Sequence, residues 1–402
     1  MAELPAYRFA PAFEAPSGSA IRELFKYLSQ PGMISFAGGY PPPALFDREG
    51  LAEASERALR QAPVDCLQYA ATEGLPALRE QLQALMQRRG AEVALDELMV
   101  TTGSQQGLDL LIKVLLSPGD QVLVERPTYP ATLQALRLAG VQAVGVPTDG
   151  EGLATDALGD QLAGQPRGRF RFLYCVPNFA NPTGACLPLA RRLALLSLAA
   201  EHDFLIIEDD PYGALRFAGE PVPSLLALQH RVPGAAGRVV HLSSLSKIVA
   251  PGLRVGWMVA PLPVRQRCTI AKQTVDLCTS PWAQRIAAEY LAAGSLERHL
   301  PQLVAGYQAK AERMLAGLAG LGGQFEMTAP QGGMFVWGRC TGGVQASALF
   351  SQAVAHNVIF VPGQAFFGDE PDPQALRLSF AAPDLAAIDE GLARLRRAFE
   401  AL

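Results

Sequence analysis

Between residues 98 and 259 the chain alternates short apolar runs, rich in β-branched and aromatic residues, with longer stretches of helical period. Seven such runs stand out, at 98–102, 121–125, 142–146, 170–176, 204–208, 239–243 and 254–259. Strands that alternate with helices predict an α/β fold, a mainly parallel seven-stranded sheet flanked by helices, with ligands expected beyond the strands' carboxyl ends. Only residues 247–253 separate the last two runs, too few for a crossover helix, so that pair is expected to be antiparallel. Leu108, Leu111, Ile112 and Leu115 recur at helical spacing, as do Leu75, Leu78, Leu82, Leu85 and Met86 before a stop at Gly90.

Beyond residue 290 the pattern changes to strand-like runs at 333–337, 358–361 and 376–380 separated by helices. Asp384 suits the N-cap of a closing helix that carries Leu385, Ile388, Leu392, Leu395 and Phe399 on one face. A chain of 402 residues is long enough for more than one unit. The division expected is a large domain at 46–289 and a smaller α+β domain built from 1–45 and 290–402.

Hydrophobic residues make up 49% of the chain and charged ones 18%, which excludes a disordered or coiled-coil protein. A net charge of −4 gives no basic field for nucleic acid, so none is expected as a partner. Six cysteines without a C-x-x-C pair argue against a disulfide scaffold and for small buried apolar filler. The first twenty residues lack a basic stretch followed by an apolar one, and no run of 18 apolar residues occurs anywhere. A cytoplasmic location without membrane association is the expectation.

Four segments carry the chemistry. In Val239-Val-His-Leu-Ser-Ser-Leu-Ser-Lys247, a lysine follows an apolar strand through a run of serines; burial there favours the neutral amine, the nucleophile that forms a Schiff base with a carbonyl. An isolated loop lysine at the surface has the same local pattern. Ile206-Ile-Glu-Asp-Asp-Pro-Tyr212 places acids and a tyrosine past a buried run, where they serve as loop caps, as metal ligands, or as the partner of a protonated ring nitrogen. Thr102-Gly-Ser-Gln-Gln-Gly107 opens a helix, and free N–H groups at such a start hold a phosphate, although any strand-to-helix turn favours these residues. The fourth segment, Asn181-Pro-Thr-Gly184, forms a tight turn after the 170–176 run.

In that order, with Arg254 seven residues after Lys247, the set resembles the fold-type I pyridoxal-phosphate enzymes, specifically class I and II aminotransferases of the aminoadipate and kynurenine branch. The resemblance runs from the Ile34-Ser-Phe-Ala-Gly-Gly segment to Leu376-Arg-Leu-Ser-Phe380. It implies pyridoxal 5′-phosphate as cofactor, with Lys247 as its Schiff-base anchor and general base. Asp209 would keep the ring nitrogen protonated, and Tyr212 and Asn181 would donate to the ring's phenolic oxygen. Tyr129 would stack on the ring. The phosphate would rest on Gly103, Ser104, Gln105, Ser244, Ser246 and Arg254, and Tyr69 would reach it from a second subunit, which implies a homodimer with shared sites. Arg377 would clamp the substrate α-carboxylate in paired hydrogen bonds. Gly39 would admit substrate close to the backbone, while Arg22 would receive a second carboxylate.

The chain departs from that pattern after its paired glycines, with Tyr40 where an aliphatic residue is usual and Asp47 where proline is usual. The implied activity is transfer of an amino group from an L-amino acid, 2-aminoadipate-like, aromatic or aliphatic, to a 2-oxo acid such as 2-oxoglutarate. The same residues also support a lyase or decarboxylase, since the outcome depends on which Cα bond stands perpendicular to the ring. A non-catalytic effector-binding module of this fold, as found behind a DNA-binding domain, is a further alternative; the fold is expected to begin within the first 20 to 35 residues, without room for such a domain.

Overall fold

The computed structural model describes residues 7–14, 18 and 20–402, so part of the stretch read for a leader lies outside the described residues. Its main sheet has eight strands in the order Leu98–Thr101, Gly256–Val259, Val239–Ser244, Leu205–Asp209, Phe170–Cys175, Gln121–Arg126, Gln142–Asp149 and Gly152–Leu153. All seven expected strands are present. The eighth is a correction to the count: Gly152–Leu153 is a two-residue antiparallel return, too short to show a period. The five strands from Val239–Ser244 to Gln142–Asp149 run parallel, and Val239–Ser244 pairs antiparallel with Gly256–Val259 as the short connection requires. Gly256–Val259 in turn carries Leu98–Thr101 antiparallel at the edge.

Burial explains why these runs are strands. Every residue of Val239–Ser244 and of Leu98–Thr101 is buried, the mark of a sheet covered on both faces. The covering helices follow their apolar spacing: Pro76–Arg88 buries Leu78, Leu82, Leu85 and Met86, and Ser104–Leu115 buries Leu108, Leu111 and Ile112. A second, four-stranded sheet orders Phe325–Met327, Phe335–Cys340, Ala375–Ser379 and Val361–Pro362. Ile34–Ser35 pairs in parallel with Val358–Ile359 and ties the N-terminal part of the chain to this region.

Asp384 caps the Leu385–Glu400 helix by accepting from the Ala387 amide. Of the face expected there, Ile388, Leu392, Leu395 and Phe399 are buried, whereas Leu385, in the first turn, is exposed. Two cysteines also depart from the filler role: Cys186 and Cys278 are only half-buried, and Cys186 Sγ receives Arg216 Nη2 at 2.9 Å. Asp47 accepts from the Gly50 amide at the start of Arg48–Gln61 and from the Tyr290 hydroxyl, so it has capping and tethering work in place of the usual proline.

Candidate active site

The carboxyl ends of the parallel strands open into a cavity of about 940 Å³. All the expected site residues line it except Tyr69, which lies exposed elsewhere, just after the Pro63–Leu67 helix. Asp209 arrives at the end of Leu205–Asp209 and is buried. Its Oδ2 accepts from the Tyr174 hydroxyl at 2.7 Å, while Oδ1 is buried without a hydrogen-bond partner. Burial pushes its carboxyl up to about 6, with the Tyr174 hydrogen bond opposing. An unpaired buried carboxylate oxygen is costly, and this one faces a cavity in which a ring N–H is the complement it lacks.

Lys247 follows the Val239–Ser244 strand, and its Nζ donates to the Gly39 carbonyl at 2.9 Å. Burial, helped by the positive charges of Arg254 and Arg377, lowers this amine to about 8, so a neutral nucleophile is accessible near neutral pH. Gly39 has a packing reason as well: a Cβ there would stand 2.8 Å from the Phe335 ring.

The 102–107 turn is built by close backbone approach. Gly103 adopts φ +75°, and a Cβ on it would lie 2.5 Å from Arg254 Nη2. Ser104 and Gln105 begin the Ser104–Leu115 helix, where the first N–H groups have no helical acceptor and the helix end is positive. Ser244 Oγ donates to Ser246 Oγ at 2.7 Å, so the two hydroxyls sit together on the cavity wall. Arg254 closes the turn from a left-handed backbone conformation at φ +53°.

Arg377 comes from the middle of Ala375–Ser379 and is fully buried. Its Nη1 donates to Asn181 Oδ1 at 2.6 Å, its Nη2 donates to the Ala37 carbonyl, and its Nε is buried without a partner. The guanidinium stands 4.3 Å and 4.9 Å from the ring centroids of Phe335 and Phe366, a cation–π sandwich that fixes its plane. Tyr212 packs edge-on against Phe335, and burial raises its phenol far above the usual range. Burial also raises Tyr129. At the mouth, Arg22 is exposed and Tyr40 is about half exposed; burial raises the Tyr40 phenol, and the Arg22 charge counters it.

Three contributors escaped the sequence reading. Tyr174 and Phe335 sit inside apolar strands and read there as core. Arg192 is wholly buried on Leu189–His202; it donates to the carbonyls of Pro177, Leu187 and Pro223 and to Asn178 Oδ1, pinning the loop that carries Asn181. Its local pattern, one of two adjacent arginines at the start of a helix, is that of a solvated charge.

A buried amine, an acid with one orphan oxygen, the start of the Ser104–Leu115 helix and a buried guanidinium meet around one cavity. The family described as aminotransferase class I and II matches residues 43–395, and the chain belongs to it. It is an aminotransferase, and its cofactor is pyridoxal 5′-phosphate. The chain is 43% identical to the 2-aminoadipate transaminase of Thermus thermophilus over 385 residues, 96% of this chain and 94% of the relative. It is 38% identical to aromatic-amino-acid aminotransferase 1 of Thermococcus litoralis over 381 residues, 94% of this chain and 90% of that one. Among solved structures, Pyrococcus horikoshii kynurenine aminotransferase in complex with PMP superposes with a TM-score of 0.92 at 37% identity, covering 98% of this chain and 97% of that one. Among the described residues no helix is long and apolar enough to cross a membrane.

Proposed function

We propose that the chain moves the amino group of an L-amino acid, 2-aminoadipate-like, aromatic or aliphatic, to a 2-oxo acid such as 2-oxoglutarate, with the residues of the cavity in the following roles. The bound cofactor supplies a carbonyl carbon and an electron-withdrawing ring. Lys247 Nζ anchors it and, when released, takes the Cα proton and returns it on the other carbon. Asp209 Oδ1 accepts from the ring nitrogen and holds a proton there. Tyr212 and Asn181 donate to the phenolic oxygen, and Tyr129 stacks on the ring.

The amides of Ser104 and Gln105, with Gly103, Ser244, Ser246 and Arg254, hold the phosphate. Arg377 receives the α-carboxylate, and its orphan Nε–H is a donor in waiting. Arg22 and Tyr40, at the mouth, read the substrate side chain. Tyr69 completes the site of a second subunit, so the working unit is a homodimer. The same reading divides the chain into a large unit at 46–289 and a small one at 1–45 and 290–402, which the pairing of Ile34 with Val358 supports.

The observation that carries the assignment is the orphan Asp209 Oδ1, buried in the same cavity as the depressed amine of Lys247. The acidic and aromatic substrates in the relatives' names support a side-chain pocket that serves both. The test is a screen of about twenty amino acids, each with 2-oxoglutarate as acceptor, that scores oxo acid and second amino acid together. Equal yields are expected, with Lys247→Ala inactive and borohydride fixing a pyridoxyl group on Lys247 in the wild type. Arg22→Ala is expected to raise KM about tenfold for 2-aminoadipate and to leave leucine and phenylalanine unchanged. Ammonia release would favour a lyase, and a label on another lysine would remove Lys247 from the role.

A further inference from the structure

Beside the phosphate turn lies a charge pair that the roles above do not use. Lys272, on Leu262–Val275, has a side chain with no solvent exposure. A buried ammonium is costly unless it is fully paired. Here its Nζ donates to Asp276 Oδ1 at 2.7 Å, to Asp276 Oδ2 at 2.9 Å and to Gln106 Oε1 at 2.9 Å. Asp276 Oδ2 also accepts from Thr102 Oγ1 at 2.8 Å and from Gln106 Nε2 at 2.7 Å. Gln106 Oε1 accepts from the Thr102 amide at 2.8 Å, a side-chain-to-backbone bond that spans the turn. The pair therefore grips Thr102 and Gln106, the residues on either side of 103–105.

That placement has an electrostatic cost. An uncompensated carboxylate one residue from an anion cradle repels the anion, and in a partly buried site the repulsion is weakly screened. Lys272 cancels it.

We infer that the Lys272–Asp276 pair is a positioning device for the cofactor's phosphate: it holds the amides of Ser104 and Gln105 in their anion-binding arrangement while keeping the holding carboxylate electrically neutral. The inference rests on the proposed reading of 103–105 as the phosphate cradle. Neither residue of the pair lines the cavity, so both act through Thr102 and Gln106.

Pyridoxal, which lacks the phosphate, separates this role from a general structural one. Apoenzymes titrated by absorbance with pyridoxal 5′-phosphate and, separately, with pyridoxal give the two Kd values. Lys272→Met is expected to raise the Kd for pyridoxal phosphate about tenfold or more and to leave that for pyridoxal within about twofold. Lys272→Met combined with Asp276→Asn, which removes the stray charge, is expected to recover at least about threefold of that loss. Thr102→Val deletes the hydroxyl's bonds to Asp276 and to Thr279 Oγ1 and no charge; it keeps the test decisive if the buried change unfolds the chain, and is expected to weaken pyridoxal phosphate about threefold to tenfold with pyridoxal unmoved. Equal losses for both ligands, or no loss for either, overturn the inference. A wild-type apoenzyme that binds pyridoxal as tightly as its phosphate overturns the cradle reading instead.

Discussion

Asp209 concentrates the residue-scale physics of this protein. Among the described residues its donor is the Tyr174 hydroxyl, and the surrounding charges and phenols are those of Asp210 just past the end of its strand, His241 on the next strand, and Tyr129 and Tyr212 across the cavity. Tyr174→Phe removes that donor from a buried anion, worth about 1.5–3 kcal/mol, so the carboxyl rises and holds the ring proton less firmly. The expected result is a loss of about tenfold to a hundredfold in kcat with the fold intact, checked by steady-state kinetics beside thermal melting. A second prediction concerns the apoenzyme. The folded carboxyl sits near 6, above the ordinary range, so the folded chain keeps its proton to higher pH than the unfolded chain. Folding therefore loses free energy as pH rises through that window, and the penalty is complete above about 6. Asp209→Asn is expected to make the apoenzyme more stable at about pH 7.5, by on the order of 2–3 kcal/mol, with the gap closing toward about pH 4. Pyridoxal phosphate is expected to reverse the ranking, because only the carboxylate gains an ionic partner. The place of Asp209 on the cavity wall was legible because it ends an apolar run in a recognisable motif order. Tyr174 was not, since a buried hydroxyl within a strand has the same local pattern as a core aromatic.

At the scale of elements, the proposed phosphate turn depends on how closely two strands approach. Thr101 pairs with Gly256, and a Cβ on Gly256 would lie 2.6 Å from the Gly103 carbonyl carbon and 2.7 Å from the Ser104 amide nitrogen. Backbone cannot swing aside as a side chain does, so Gly256→Ala must push the turn and the edge strand apart. The expected cost is about 1–3 kcal/mol in urea unfolding, together with weaker retention of pyridoxal phosphate in a spectrophotometric titration. The strands themselves were readable from their apolar runs, and the antiparallel sense of Gly256–Val259 followed from a connection too short to cross over. The Gly152–Leu153 return was not readable, because two residues carry no period. Nor was the pairing of Leu98–Thr101 on the far side of Gly256–Val259, since edge pairing is set by tertiary packing. Buried Lys272 and Arg192 escaped for a related reason: on a helix, a charge whose partners come from distant segments looks like a solvated one.

For the whole molecule, the surface near residue 66 is what supports the proposed partner subunit. Val64, Leu67 and Tyr69 are 71%, 73% and 78% exposed within six residues, an apolar display that suits an interface. In the proposed homodimer each Tyr69 serves the neighbouring site, and a two-fold arrangement makes that exchange reciprocal. Subunit mixing tests it directly. A Lys247→Ala chain lacks its own anchor but offers Tyr69 to a partner; a Tyr69→Ala chain keeps its anchor but offers nothing. Either homodimer is defective at both sites. In a hybrid of the two, one site has lost both groups and the other has both. Refolding equimolar chains together gives half hybrids, each with one intact site, so the mixture is expected to recover about a quarter of wild-type activity at limiting pyridoxal phosphate. Activity no greater than the average of the two parents would place Tyr69 outside the partner's site. Leu67→Arg supplies the control: by setting two like charges into the apolar face it is expected to give monomers in light scattering, and those monomers neither retain the cofactor nor complement.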